Sequence, residues 1–295
     1  MTIPWQTLTA CYKPVQKQLK IKQTAKIQFL NNQYSTLNAQ YPRGQNLSLN
    51  IDYCILNIEC FEFKKQKTFI LIIAKNVFMG EAEIDQYARR IIIHSHIITY
   101  GNAADEKLTE YMRSEIETMW NEPEGIIYLK KIPVAVSFRI TAEWKPHIDM
   151  YEIYTNTDTR NNYFRVEEYA RGNISFVDGL GCNTGYFKLE NLYVGSTTAA
   201  HEYGHTLGLD HPRDLDIRGK GVPGIMYPRG TLVDPQFQYD STKPAGVTGG
   251  TMHPMFRKVF REDIAALKLE RLRFKNNKAM LGDFTNVYHL NHDVA

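Results

Sequence analysis

The sequence has few features that would place it in a membrane or in a disulfide-stabilised fold. Its 295 residues include only four cysteines, and no two of these form a CxxC pair: Cys11, Cys54, Cys60 and Cys182. We therefore expect buried thiols, although sequence alone does not distinguish the three possible disulfide pairings. No apolar run approaches the length that spans a bilayer, and the N-terminus lacks the apolar stretch of a cleaved secretory signal. We expect a protein without membrane spans, and the sequence leaves its compartment open. It is cytoplasmic, or it is exported by a route without a cleaved signal, as a secreted effector would be, or the sequence begins after a removed signal.

An excess of charge of one sign is also missing. The chain carries 35 Lys and Arg against 32 Asp and Glu, a net charge of +3, and the charges are mixed along its length. Nucleic-acid binding usually needs a basic patch or block, so this balance does not favour a nucleic-acid partner. With 43% hydrophobic residues, a chain of this length can bury the core of one large or two modest domains. Composition leaves the oligomeric state open.

One stretch carries most of the functional information: residues 199–211 read AAHEYGHTLGLDH. If it is helical, His201 and His205 lie one turn apart on the same face and can share a metal ion. Gly208 tolerates the left-handed conformation that ends a helix, so the chain can turn back and bring His211 to the same ion. Three histidine ligands with an open fourth position are typical of a catalytic zinc site. Glu202, beside the first ligand, is the predicted general base for a water molecule at that position.

The long motif HExxHxxGxxH is followed by Gly-Ile-Met-Tyr-Pro at 224–228. Together they resemble the metzincins, a class of zinc metalloproteases, and most closely the matrixins over residues 191–228. The resemblance implies one catalytic Zn²⁺, with Met226 beneath the three histidines. It also implies that Tyr227 and Pro228 line the pocket for the substrate side chain after the cut bond. The matrixin loop that holds structural zinc and calcium has no counterpart here, so a calcium requirement stays open.

The resemblance and the order of elements predict an α+β fold. We expect a metzincin-like zincin domain with a twisted mixed sheet and two long helices. A small C-terminal subdomain should carry the methionine turn and a closing helix. The predicted elements are a short helix over 81–90, a strand over 91–98, a helix over 105–121, a strand pair within 126–143, a surface loop over 144–172 and an amphipathic helix over 258–274.

A short segment before the motif is a candidate substrate-binding strand. Ile174, Ser175, Phe176 and Val177 stand where metzincins place the antiparallel edge strand above the zinc. An extended peptide can pair with such an edge by β-augmentation. The alternative for this segment is an ordinary hairpin.

Two domains are predicted. Residues 86–295 form the catalytic domain, and residues 1–85 form an N-terminal accessory region with a polar arm and a β-hairpin. Delivery, packing and a pro-segment are open as roles for that region.

The function predicted from the sequence is a zinc-dependent endopeptidase that hydrolyses peptide bonds in proteins. Its expected partner is a protein or peptide substrate. Two alternatives are an intracellular processing protease with a narrow substrate and an inactive module that keeps zinc for structure. The endopeptidase and the processing protease both cut peptides, whereas the inactive module does not, so a cleavage assay separates the module from the other two.

Overall fold

The computed structural model describes residues 80–282 and 284–292. The chain divides into two units, Met1–Ile72 and Ile73–Ala295, and the described residues lie in the second. The predicted polar arm and β-hairpin of the N-terminal region lie outside the described residues. None of the described helices combines the length and the apolar character needed to cross a membrane.

A mixed eight-stranded sheet forms the framework of the described unit. Its strands are β1 (Glu81–Asp85), β2 (Arg90–Tyr100), β3 (Ile126–Leu129), β4 (Ile132–Trp144), β5 (Asn161–Glu167), β6 (Phe176–Val177), β7 (Thr184–Lys188) and β8 (Lys278–Met280). The order is β3-β4-β2-β5-β7-β6, with β1 pairing β2 and β8. Strands β4, β2, β5 and β7 are parallel, whereas β3 and β6 are antiparallel to their neighbours. The predicted α+β fold is confirmed.

Four helices accompany the sheet: α1 (Glu106–Asn121), α2 (Met150–Tyr154), α3 (Thr198–Thr206) and α4 (Arg261–Ala266). Helix α1 confirms the prediction for residues 105–121. Asp105 caps it by accepting a hydrogen bond from the Leu108 amide at 2.6 Å. Met112, Ile116 and Trp120 recur every four residues and are fully buried, so one face of α1 packs into the core.

Helix α3 lies inside the core, and all nine of its residues are buried. The indole Nε1 of Trp120 donates to the Ala200 carbonyl at 3.1 Å, and the Tyr203 hydroxyl is 2.8 Å from Ser95 Oγ on β2. At its N-terminus, Glu115 of α1 accepts from the Ala200 amide at 3.3 Å. Helix α3 is therefore held by both α1 and the sheet, which fixes the direction of its side chains.

Two of the predicted elements near the sheet are wrong. The helix over 81–90 is strand β1 and a turn, because Ala82 and Ile84 alternate with glutamates and pair with β2 and β8. The loop over 144–172 contains α2 and the central strand β5. Six of the seven residues of β5 are buried, so this strand lacks the alternation that marks a half-exposed one.

The closing helix is much shorter than predicted. Helix α4 covers only Arg261–Ala266 of the expected 258–274, and a single 3₁₀ turn follows at Leu269–Arg271. Between them Lys268 adopts a left-handed conformation with φ of 53°, which interrupts a helix. The segment between the methionine turn and α4 has no α-helix or strand, as the loop-rich composition indicates.

Candidate active site

Helix α3 and the turn after it bring three histidine side chains together. The Nε2 atom of His211 lies 3.0 Å from that of His205 and 3.2 Å from that of His201. In the described part of the chain, these three residues form the one cluster of histidine, cysteine or acidic groups suited to holding a metal ion. The convergence predicted from the motif is therefore present in the structure.

The turn at Gly208 produces this convergence. Gly208 has φ of 92°, in the left-handed region that favours glycine. Its amide bonds to the His205 carbonyl, and the next amide, of Leu209, bonds to the Gly204 carbonyl, each at 3.0 Å. These two bonds form a Schellman motif, which ends α3 and turns His211 back toward the helix.

Main-chain carbonyls fix the orientation of two imidazoles. His201 Nδ1 is 2.6 Å from the Ile225 carbonyl oxygen, and His205 Nδ1 is 2.7 Å from that of Leu209. A carbonyl only accepts, so each Nδ1 must carry the proton and each Nε2 presents its lone pair to the centre. Such outer hydrogen bonds are typical of metal-binding histidines.

The three side chains fit a zinc ion in chemistry and spacing. Burial lowers the pKa of His205 to about 4 and lowers the pKa values of His201 and His211, so all three are neutral at pH 7. His201 and His205 direct their Nε2 lone pairs to one point, and neutral His211 can supply a third, so the cluster suits a cation. Nitrogens bound tetrahedrally at 2.0–2.1 Å would be about 3.3 Å apart, close to the observed spacing.

Met226 lies against the last turn of helix α3. It is 3% exposed and packs on Gly204, next to His205. The preceding residue, Ile225, supplies the carbonyl that holds His201. The methionine turn therefore contacts the helix that carries two of the histidines, and its place beneath all three stays a prediction.

Replacing Gly204 by alanine should destabilise the protein. The new Cβ would overlap the Met226 sulfur and lie 3.1 Å from Cζ2 of Trp120. Overpacking of this kind costs about 1–3 kcal/mol. Thermal denaturation measures the change, with Gly224→Ala as the matched control, because a Cβ at Gly224 would meet nothing closer than 3.6 Å. Equal melting temperatures for both variants would contradict this packing.

Glu202 points into the same cleft as the histidines. It is 6% exposed, and burial raises its pKa to about 8. The positive charge of Arg257 and the backbone amide of Val177 oppose this shift. The charge of a bound metal ion would lower the pKa further and favour the ionised carboxylate.

A cleft of about 440 Å³ contains most of the predicted site residues. Nine of them line it: Ile174, Ser175, Phe176, Val177, His201, Glu202, His205, His211 and Pro228. Tyr227 is not among the lining residues and packs instead beside a small cluster of Ile217, Val233 and Met252. The lining also includes Thr198, Arg229 and Arg257, which we did not predict. Arg257 lies outside the motif, and no local pattern marks it.

The predicted edge strand is present but shorter than expected. Strand β6 covers Phe176–Val177 and pairs with Tyr186 and Gly185 of β7 at the end of the sheet. Ile174 is extended, and Ser175 accepts a hydrogen bond from the Lys188 amide at 3.1 Å. Its role in binding substrate stays a prediction.

The two C-terminal histidines, His289 and His292, are half-buried near β6. The His292 ring stacks on Tyr186 with centroids 4.0 Å apart, and His289 lies 3.0 Å from Asp178. Both rings also contact Phe176.

Three convergent histidines, a glutamate on the same helix and a methionine turn packed against that helix match the arrangement expected from the long zinc-binding motif. No family model matches the chain. Over 100 residues, 33% of the chain, it is 37% identical to Serralysin G of Dickeya chrysanthemi. The match covers 20% of that protein, so the chain spans about a fifth of the length of this curated relative.

The crystal structure of archaemetzincin from Methanopyrus kandleri was also found to be similar. It covers 60% of this chain and 95% of its own, with a TM-score of 0.34 and 12% sequence identity. The TM-score and the sequence identity are too low for this similarity to bear on function. The sequence similarity to a serralysin supports a zinc metallopeptidase in general, and the closer resemblance to matrixins stays a prediction.

Proposed function

We propose that the chain is a zinc-dependent endopeptidase that hydrolyses peptide bonds in proteins. The observation that carries this proposal is the meeting of three neutral histidine nitrogens and a buried glutamate in one cleft. The resemblance to matrixins and the similarity to a serralysin support the same conclusion.

His201, His205 and His211 would hold one zinc ion. When bound there, zinc would polarise the peptide carbonyl and acidify water, which are its usual roles in such enzymes. No calcium site is included in the proposal.

Glu202 acts as the general base and then as the general acid. Its carboxylate takes a proton from the attacking water and returns it to the leaving amine. The low exposure of Glu202 excludes bulk water, so the proton stays within the cleft.

Strand β6 would bind the substrate backbone. Within the described part of the chain it pairs only with β7, so its other edge is open to an extended peptide. Ile174, Ser175, Phe176 and Val177 would contact that peptide, and Pro228 would contact the side chain after the cut bond.

Cleavage profiling of an unstructured peptide library by mass spectrometry tests the proposal. The zinc-loaded chain should cut peptides, a chelator should stop cleavage, and added zinc should restore it. A chain that holds one equivalent of zinc yet cuts nothing would contradict the proposal and favour the inactive zinc-binding module. Cleavage confined to very few library members would favour the processing protease.

A further inference from the structure

A buried guanidinium lies at one end of the cleft. Arg257 is 3% exposed and donates to three neutral acceptors: Thr197 Oγ1 at 2.9 Å, the Tyr227 carbonyl at 3.3 Å and the Ser196 carbonyl at 3.4 Å. Across residues 80–282 and 284–292, no carboxylate lies within ion-pairing distance of it. Glu202 and Glu115 act on it only from a greater distance. Burying a charge without a direct ion pair is costly, so a carboxylate ligand would offset that cost. Because a guanidinium has five N–H groups, two remain for such a ligand.

A buried hydroxyl without a partner lines the same end. Thr198 is 4% exposed, and its Oγ1 has no hydrogen-bond partner in the part of the chain that the structure describes. Buried polar groups are nearly always hydrogen-bonded, so an unsatisfied one in a cleft indicates a place for a ligand atom. The hydroxyl can donate to a carboxylate oxygen.

The charges along the cleft are divided between its two ends. Arg257 contacts the residues that begin α3, and half-buried Arg229 also lines the cleft without an ion pair among the described side chains. Asp210 lies beyond the other end of α3, where its carboxylate accepts from the His211 amide at 2.7 Å. The end near Thr198 is therefore the basic one.

The position of Glu202 shows which part of a substrate would reach this end. Thr198 is one turn before Glu202 on α3, so both face the cleft on the same side. Since Glu202 returns its proton to the leaving amine, the part of the substrate after the cut bond lies on that side.

We propose that Arg257 and Thr198 bind a carboxylate of the substrate on the leaving-amine side of the cut bond. The proposal rests on the proposed endopeptidase function. Two sources share this chemistry: an aspartate or glutamate side chain directly after the cut bond, and the terminal carboxylate of a short substrate. Arg229 adds positive charge at the same pocket and strengthens the attraction.

The test compares peptide pairs that differ only in glutamate or glutamine directly after the cut bond. The zinc-loaded wild type should have kcat/KM at least about tenfold higher for glutamate, since a hydrogen bond between two charged groups is stronger than one to a neutral amide. Short peptides with a free or an amidated C-terminus form a second arm. Preference for the free terminus alone identifies the terminal carboxylate as the source, and preference for internal glutamate identifies the side chain.

Two variants locate the preference. Arg257→Gln should bring the glutamate-to-glutamine ratio close to one. Arg257→Gln also removes hydrogen bonds to Ser196, Thr197 and Tyr227, so a second variant is needed. Thr198→Val removes only a hydroxyl that has no partner among the described residues. It should lower the ratio severalfold. Arg273→Gln removes the same charge from an exposed residue that does not line the cleft and should keep the wild-type ratio.

Calorimetry measures the binding of the same peptides to the zinc-loaded Glu202→Gln variant. This measurement distinguishes a failure of the carboxylate site from a failure of the proposed peptidase function. Cleavage without any carboxylate preference would overturn the carboxylate site and leave the peptidase intact. Carboxylate-selective binding without cleavage by the wild type would support the carboxylate site and overturn the peptidase function. A preference that survives in both Arg257→Gln and Thr198→Val would also overturn the assignment.

Discussion

Glu202→Gln should lower kcat/KM for any cleaved peptide by about a thousandfold or more. The amide has nearly the shape of the carboxylate but cannot accept the proton of the attacking water, and general acid–base catalysis contributes about 10²–10⁴-fold. Zinc content should not change, because Glu202 is not one of the three clustered ligands. Kinetics on one peptide from the library, with zinc measured by plasma mass spectrometry, gives both quantities.

Glu106→Gln is a suitable control for this variant. Glu106 is an exposed glutamate in the first turn of α1, outside the cleft, so activity should stay within a few-fold of wild type. Near-normal turnover by Glu202→Gln would show that another group takes the proton. Loss of zinc together with activity would show that Glu202 supports the metal centre instead.

His205→Ala should reduce bound zinc from one equivalent to a small fraction after dialysis and should abolish peptide cleavage. It removes one of three nitrogen ligands from the last turn of a buried helix, and the remaining two cannot complete the site. Zinc should also raise the melting temperature of the wild type, since a ligand that binds the folded state stabilises it, but should not raise that of the variant.

His96→Gln is the matched control for the ligand variant. His96 lies on β2 with its Nδ1 2.8 Å from Thr141 Oγ1, so it has a structural partner away from the cleft. Its substitution should leave one equivalent of zinc and the zinc-dependent stabilisation in place. Full zinc occupancy in His205→Ala would contradict the three-histidine assignment.

Local sequence signals were enough to predict the helices that hold the site and the turn at Gly208. Helix α1 has apolar residues at helical spacing. In α3 the spacing of His201 and His205 is enough to place both ligands on one face of the helix. Such features depend on neighbours in sequence, so the sequence displays them directly. The resemblance to metzincins, rather than a local signal, placed β6 at the edge of the sheet, with two residues more than the strand has.

Features that depend on distant partners were not predictable in this way. Strand β5 is buried between β2 and β7. Four of its seven residues are nevertheless polar, so its sequence resembles a surface loop: Asn161, Asn162, Arg165 and Glu167. Glu81–Asp85, which we grouped with the N-terminal region, becomes a strand through pairing with β2 and β8. Arg257 reads as an ordinary surface cation until the fold brings it to the start of α3.

The carbonyls of Leu209 and Ile225 hold two of the three imidazoles in place, and a carbonyl is the same in every amino acid. Substitutions at these two positions that keep the backbone path should therefore leave the histidines correctly aimed. Both side chains are themselves buried in the core, so such substitutions should also keep the apolar volume of the site. At these positions the backbone thus sets the aim of the ligands, and the side chains contribute only packing.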